Sequence, residues 1–260
     1  MSVSLNLNLF LIVFARMAGI FLIAPVFGSR YLPAQLKIGF ALVTTAVLTP
    51  VVASRVGQVP DPWSAPVRYA VTLVSETGIG LVLGYATLLI LMTVQVAGQF
   101  IDLQMGFGIV NVVDPLSDAP VPLVGNFKYL LAILVFLAVN GHHFLLEALV
   151  ASYDLVALGQ AVYGGLLVSR ITDLFSSMFL VAVKLALPVV GTLFLTDVAL
   201  GIIARTVPQM NILVLGLSVK IIVGIVVLLL LLPAYVFLLG GLFDRLYPTL
   251  WELLHLAGGG

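Results

Sequence analysis

Six long apolar stretches alternate with short, polar, turn-rich segments along the chain. They run at roughly 5–27, 35–53, 69–97, 128–151, 174–204 and 211–243, each close to or above the ~20 residues a helix needs to cross a bilayer. The breaks read FGSRYLP, ASRVGQVPDPWSAP, QMGFGIVNVVDPLSDAP, SYDLVALGQAVYGG and RTVPQMN, and their glycines and prolines mark turns. In lipid the backbone must satisfy its own polar groups, in helices or in a closed barrel. Runs this long predict helices, not the short alternating strands of a barrel. The expected fold is an all-α integral membrane protein of about six long helices, several kinked or broken, with Pro188 and Pro233 inside the last two. The opening MSVSLNLN has no basic start, and Arg16 interrupts the apolar run behind it, so the first stretch is read as a retained helix.

Composition strengthens the membrane reading. Hydrophobic residues make up 62% of the chain and charged ones 8%, against about 25% charged in soluble domains. The absence of cysteine excludes a disulfide framework and thiolate metal sites. Eleven positive and eleven negative side chains give no reason to expect nucleic acid as a partner. No GxxxxGK[ST] loop occurs, so no nucleotide or other cofactor is expected, and any driving force has to come from elsewhere.

Two features fit poorly with six independent spans. Orientation by basic residues gives no answer: Arg55, Arg68, Arg170 and Arg245 would lie on one side, Arg30, Lys37, Lys128 and Arg205 on the other. The stretch Leu174–Ala204 would also be about 46 Å long as one helix, against a hydrocarbon core of about 30 Å. Helices of that length are expected to be covered partly by protein.

Arg16, Glu76, Lys184, Asp197 and Lys220 lie inside apolar runs, where a charge facing lipid costs about 2.5 kcal/mol or more. Each needs a partner. Lys184 and Asp197 are too far apart along one helix to pair, and Asp197, Gly201 and Arg205 share a face with about 12 Å between the two charges. Snorkelling, pairing within the six-helix unit and pairing across subunits all remain open. Gly80 and Gly84 form GxxxG, a weak signal for close helix approach.

Catalytic readings are thin. His143 and Glu147 share a helix face, but zinc needs more ligands than they offer, and a polar cluster at a helix end is the better reading. Neither GxGD nor GxSG is present for an intramembrane protease. A secondary transporter using Glu76, Asp102 and Asp114 as ion ligands is the rival from another class.

The pieces RMAGIFLIAPVFG, AGQFIDLQMGFG, FLAVNGHHFLLEAL, ALPVVGTLFLTDVALGIIARTVPQMN and LGLSVKI resemble, in this order and over nearly the whole chain, the FliR family of flagellar type III export gates. The injectisome relative SctT is the near neighbour, with FIDLQMGFG and NGHH pointing to the flagellar branch. The resemblance implies a non-enzymatic subunit of a hetero-oligomeric, helical gate in the bacterial inner membrane, at the flagellar basal body. FliP and FliQ homologues would be its partners, with an FlhB homologue at the cytoplasmic side and unfolded export substrates in the pore. It further implies a FliP-like part at 1–170, a FliQ-like hairpin at 171–245 and a tail at 246–260.

By the same resemblance, residues 104–122 correspond to a plug loop that helps close the pore. Met105, Gly106, Phe107, Gly108, Ile109 and Val110 form its apolar, flexible part, suited to a constriction that closes by dewetting. Asp114, Pro115, Pro120 and Pro122 keep it from becoming another span. Without the resemblance the same residues read equally as a surface loop. The hairpin tip carries Arg205, Pro208, Gln209 and Asn211, with Lys220 beyond it, and these are expected subunit contacts. Arg16, Glu76, Gly80, Gly84, Lys184 and Asp197 are candidates for the same role.

Overall fold

The computed structural model describes residues 7–28, 32–56, 62–107, 122–207, 209 and 211–259. Each apolar stretch is helical, and no strand occurs among the described residues. The helices are α1 (Leu7–Ile23), α2 (Ala34–Ala53), α3 (Pro66–Met105), α4 (Leu123–Ala138), α5 (Gly141–Leu155), α6 (Gly165–Thr206), α7 (Ile212–Asp244) and α8 (Leu246–Ala257).

Among the described residues, four helical segments are long and apolar enough to cross a membrane: Ala34–Ala53, Pro66–Met105, Gly165–Thr206 and Val214–Ala257. The stretch expected at 128–151 is not one rod. Asn140 takes a left-handed conformation (φ 58°), which among non-glycine residues asparagine tolerates best, and α4 and α5 meet there at 64°. Counting this bent pair as one span gives five. With 17 residues, α1 falls short of a full crossing. α3 and α6 run beyond the apolar stretches at both ends, to 40 and 42 residues.

The chain divides into two compact units. The first gathers residues 1–90, 137–175 and 243–260. In it α1 packs along α2, and α5 along α8. α1 also meets the first half of α3 backbone to backbone. A Cβ on Gly80 would stand 2.1 Å from the Arg16 carbonyl oxygen, one on Gly19 would stand 2.4 Å from that of Thr77, and one on Gly84 would touch Ile20 and Ala24. The GxxxG approach is therefore made inside this chain, with Gly19 as the third small residue.

The second unit gathers residues 91–136 and 176–242. Its core is built from Ala97, Ile101 and Met105 of α3, Val124 of α4, and Ala182, Ala186, Val189 and Leu193 of α6, with Phe100, Phe107 and Ile221 packed against them. Small residues again set the closest approach: a Cβ on Gly98 would lie 2.3 Å from the Gly125 Cα, so only glycine lets α3 and α4 touch here.

Burial is uneven along the spans. In the most apolar window of α3, 56% of residues are buried, against 11% in Val214–Ala257. The last helices thus present apolar faces, among them Phe179, Leu187, Phe194, Leu229 and Phe237, that require cover from lipid or from other protein.

Candidate functional site

The site is the stem that carries residues 108–121, together with the charges that fasten it. α3 ends at Met105, and Gly106 turns the chain at φ 90°, a conformation that suits glycine. Its N–H bonds back to the Leu103 carbonyl at 3.2 Å. Three consecutive devices hold this helix end in place.

The first is Asp102, almost fully buried. Its two carboxylate oxygens accept the backbone N–H groups of Val124 and Gly125, both at 2.9 Å. These are among the unpaired donors that open α4. A carboxylate there also meets the positive end of the helix dipole. One side chain before the loop is thereby bonded to the first turn after it.

The second is Met105, which is fully buried in the core of the unit. A Cβ on Gly224 of α7 would meet its Cε at 2.8 Å and its Sδ at 2.9 Å, so the missing side chain makes the seat for a flexible thioether. The third is Gln104, whose amide donates to Asp197 Oδ2 of α6 at 3.0 Å. Lys220 of α7 reaches the other oxygen of the same carboxylate at 2.6 Å. Lys220 and Gly224 lie four apart on one helix face, one holding the charge and the other the methionine.

The first unit has a polar centre of its own. Arg16 is fully buried and its guanidinium is used in three directions: Nε to Glu76 at 2.7 Å, Nη1 to the Ser152 hydroxyl at 2.7 Å, and Nη2 to the Val156 carbonyl at 3.2 Å. It also sits 4.0 Å from the centre of the Tyr153 ring. The second oxygen of Glu76 accepts the N–H of Gly159 at 3.0 Å. Nearby, the Tyr163 hydroxyl donates to the Ser75 carbonyl, in space left by Gly78. Burial pushes the Tyr163 hydroxyl up from its ordinary pKa, so it remains a donor.

The expected site residues thus fall into three groups. Arg16, Glu76, Gly80 and Gly84 find their partners within the first unit. Met105, Gly106, Phe107, Asp197 and Lys220 gather around the loop stem in the second. Lys184, Arg205, Gln209 and Asn211 are exposed. Lys184 and Arg205 make no ion pair among the described residues, and Asn211 opens α7 with a long side-chain bond to the Val214 N–H. Gly108, Ile109, Val110, Asp114, Pro115 and Pro208 lie outside the described residues. No group of three metal-ligating side chains occurs among the described residues.

Asp102, Gln104, Gly98, Gly125 and Gly224 were not legible as stem residues in the sequence. The available signals were that Gly98, Asp102 and Gln104 lie in AGQFIDLQMGFG, which carried the resemblance, and that an acid and a glutamine stand where a helix should be leaving apolar surroundings. The geometry also engages two of the three acids of the transporter reading in internal bonds. Both oxygens of Glu76 and both of Asp102 are already taken by donors of this chain.

Residues 7–246 match the sequence model of bacterial export proteins, family 1. The chain is 37% identical over 252 residues to flagellar biosynthetic protein FliR of Bacillus subtilis (strain 168), covering 96% of this chain and 95% of that one. To flagellar biosynthetic protein FliR of Escherichia coli (strain K12) it is 29% identical over 251 residues, covering 95% and 93%. The surface presentation of antigens protein SpaR of Shigella sonnei is 28% identical over 229 residues, covering 86% of each chain. A match of this extent, with the stem built from the same stretch that carried the resemblance, means that the chain belongs to the FliR family of bacterial export proteins.

Proposed function

We infer that the chain is a multi-pass inner-membrane subunit of the flagellar type III export gate, needed for building the flagellum. Membership of the family over nearly the full length carries this reading. The finer reading is that it lines part of the pore for unfolded flagellar proteins, that residues 104–122 help close that pore, and that the chain performs no catalysis. What supports the gate role is the stem: a plug has to be held at its two ends, and Asp102 bonds the end of α3 to the start of α4.

In this reading Met105 to Val110 form the closing segment, with Met105, buried in the core of the unit, as its anchored end, and Asp114 and Pro115 keep the remainder from spanning. FliP and FliQ homologues are the proposed neighbours, with an FlhB homologue at the cytoplasmic side. The exposed apolar faces of α6 and α7, and the exposed Lys184, Arg205, Gln209 and Asn211, supply surface for them. Pro208 belongs with the same tip. α6 and α7 correspond to the FliQ-like hairpin at 171–245, with 1–170 as the FliP-like part and 246–260 as the tail. The export energy is supplied by other components.

Deleting residues 108–115, which spares Met105 and the Asp102 bonds, is expected to leave the complex intact and make it leak ions. Conductance of the reconstituted complex and secretion in cells check this. Unchanged conductance together with unchanged secretion would remove the gate role. The transporter reading predicts instead that the chain purifies alone or as a symmetric homo-oligomer, without FliP and FliQ homologues.

A further inference from the structure

Helix α2 is covered on one narrow side only. Ala41, Thr45, Thr49 and Val52 are buried, whereas Leu36, Phe40, Val43, Val47 and Val51 form an exposed apolar stripe at helical spacing. The hydroxyl donors of the helix are spent within it. Thr44, Thr45 and Thr49 donate to the carbonyls four residues back, at 2.8, 2.6 and 2.7 Å, and Ser54 donates to that of Val51 at 2.7 Å. The first charges met in either direction are Lys37 and Arg55. Lys37 donates to the Gly28 carbonyl at 3.0 Å, and Arg55 pairs with Asp154 at 2.6 Å. Trp63, 92% exposed, follows on the Arg55 side, before α3 begins.

The spacing of those charges decides what covers the stripe. Lys37 and Arg55 stand about 27 Å apart at 1.5 Å per residue, which matches a hydrocarbon core of about 27–30 Å without tilt. The other long helices fit less directly. Within α6 the widest gap between charges, Lys184 to Asp197, is about 20 Å, and in α3 and α7 the gaps Glu76 to Asp102 and Lys220 to Asp244 are about 39 and 36 Å. Hydrogen bonding points the same way. A protein neighbour inside a membrane is held partly by polar side chains, and between Lys37 and Arg55 no side-chain donor is left for one. We propose that the exposed face of α2 is a lipid contact, with Lys37 and Arg55 at the two edges of the hydrocarbon core. Trp63 then lies in the headgroup layer on the Arg55 side, where tryptophan is enriched. This sets the depth of the first unit in the bilayer, and it rests on the membrane location of the chain, not on its gate role.

The chain has no cysteine, so a single introduced one carries a unique nitroxide label. The complex with which the chain purifies, its other chains freed of reactive cysteine, is reconstituted in vesicles of phosphatidylethanolamine and phosphatidylglycerol. Leu36→Cys, Phe40→Cys, Val43→Cys, Val47→Cys and Val51→Cys are labelled one at a time. Electron paramagnetic resonance then compares relaxation by oxygen, which dissolves among acyl chains, with relaxation by a water-soluble nickel complex. The ratio of oxygen to nickel access is expected to rise from both ends of the helix to a maximum between Val43 and Val47. All five sites are exposed, so a label that blocks folding at one leaves the others readable. Exclusion of both reagents at Val43 and Val47 would overturn the proposal, showing a protein neighbour. Higher access of nickel than of oxygen there would overturn it in favour of water, and a maximum at Leu36 or Val51 would overturn the placement of the two edges.

Discussion

Arg16 with Glu76 and Lys220 with Asp197 are the same chemical device, an ion pair joining long apolar helices, but one is closed and the other open. The first pair is wholly buried, and all three guanidinium nitrogens donate to a partner from α3, α5 or the segment after it. The second keeps 22% of the lysine side chain and 36% of the aspartate side chain exposed, and shares its carboxylate with Gln104 at the loop stem. A closed network costs so much desolvation that it is stable only when complete. An open one tolerates loss of a member, and its free face remains available to another chain. The first unit therefore uses charge to fix its own packing, whereas the second presents charge where a loop and a neighbour can both act on it.

The sharpest way to break this contrast is Arg16→Met. It leaves Glu76 charged and buried, and should destabilise the chain by about 3–5 kcal/mol, read as a large loss of folded protein in the membrane. Adding Glu76→Leu should recover a substantial part of the yield, since both charges are then gone. No recovery in the double variant would mean that the network matters through its other members.

Asp102→Ala comes next. Removing an N-terminal helix partner costs about 0.5–2 kcal/mol, which thermal unfolding in detergent should register. If the stem holds a plug, the same variant should raise ion leakage in a complex of normal yield. Asp102→Asn, which keeps one acceptor oxygen, should lie between wild type and Ala. Leakage that does not follow this order would separate the cap from the gate.

The smallest effect on the chain itself is expected for Lys220→Ala. A part-exposed pair contributes about 1 kcal/mol or less, so melting should hardly move. Yield of the complex with FliQ or FlhB homologues should fall by more than melting predicts, if the open face serves a neighbour. Equal, small changes in both would place Lys220 with the internal contacts.

The helices themselves were legible because long apolar runs leave the backbone few choices. The break at Asn140 was legible only in hindsight: Asn-Gly is a turn signal, but it sits in a run apolar enough to read as continuous. That every embedded charge needs a partner followed from desolvation alone, whereas the choice of Glu76 for Arg16, sixty residues on, depends on how α1 crosses α3. No local pattern encodes that crossing except the small residues at 19, 80 and 84, and those read equally well as a subunit contact. The stem was hidden for the same reason, since Asp102 is a cap only because α4 begins beside it, 22 residues later.

The Asp102 bonds have a further consequence for how the chain tolerates insertion. Because they close the loop at its base, residues can be added or removed beyond them without shifting the register of α3 or α4. Doubling the length of a flexible loop adds only about 0.6 kcal/mol of closure entropy. A reporter peptide inserted between the two helices is thus expected to leave the fold of α3 and α4 intact even where it disturbs the gate.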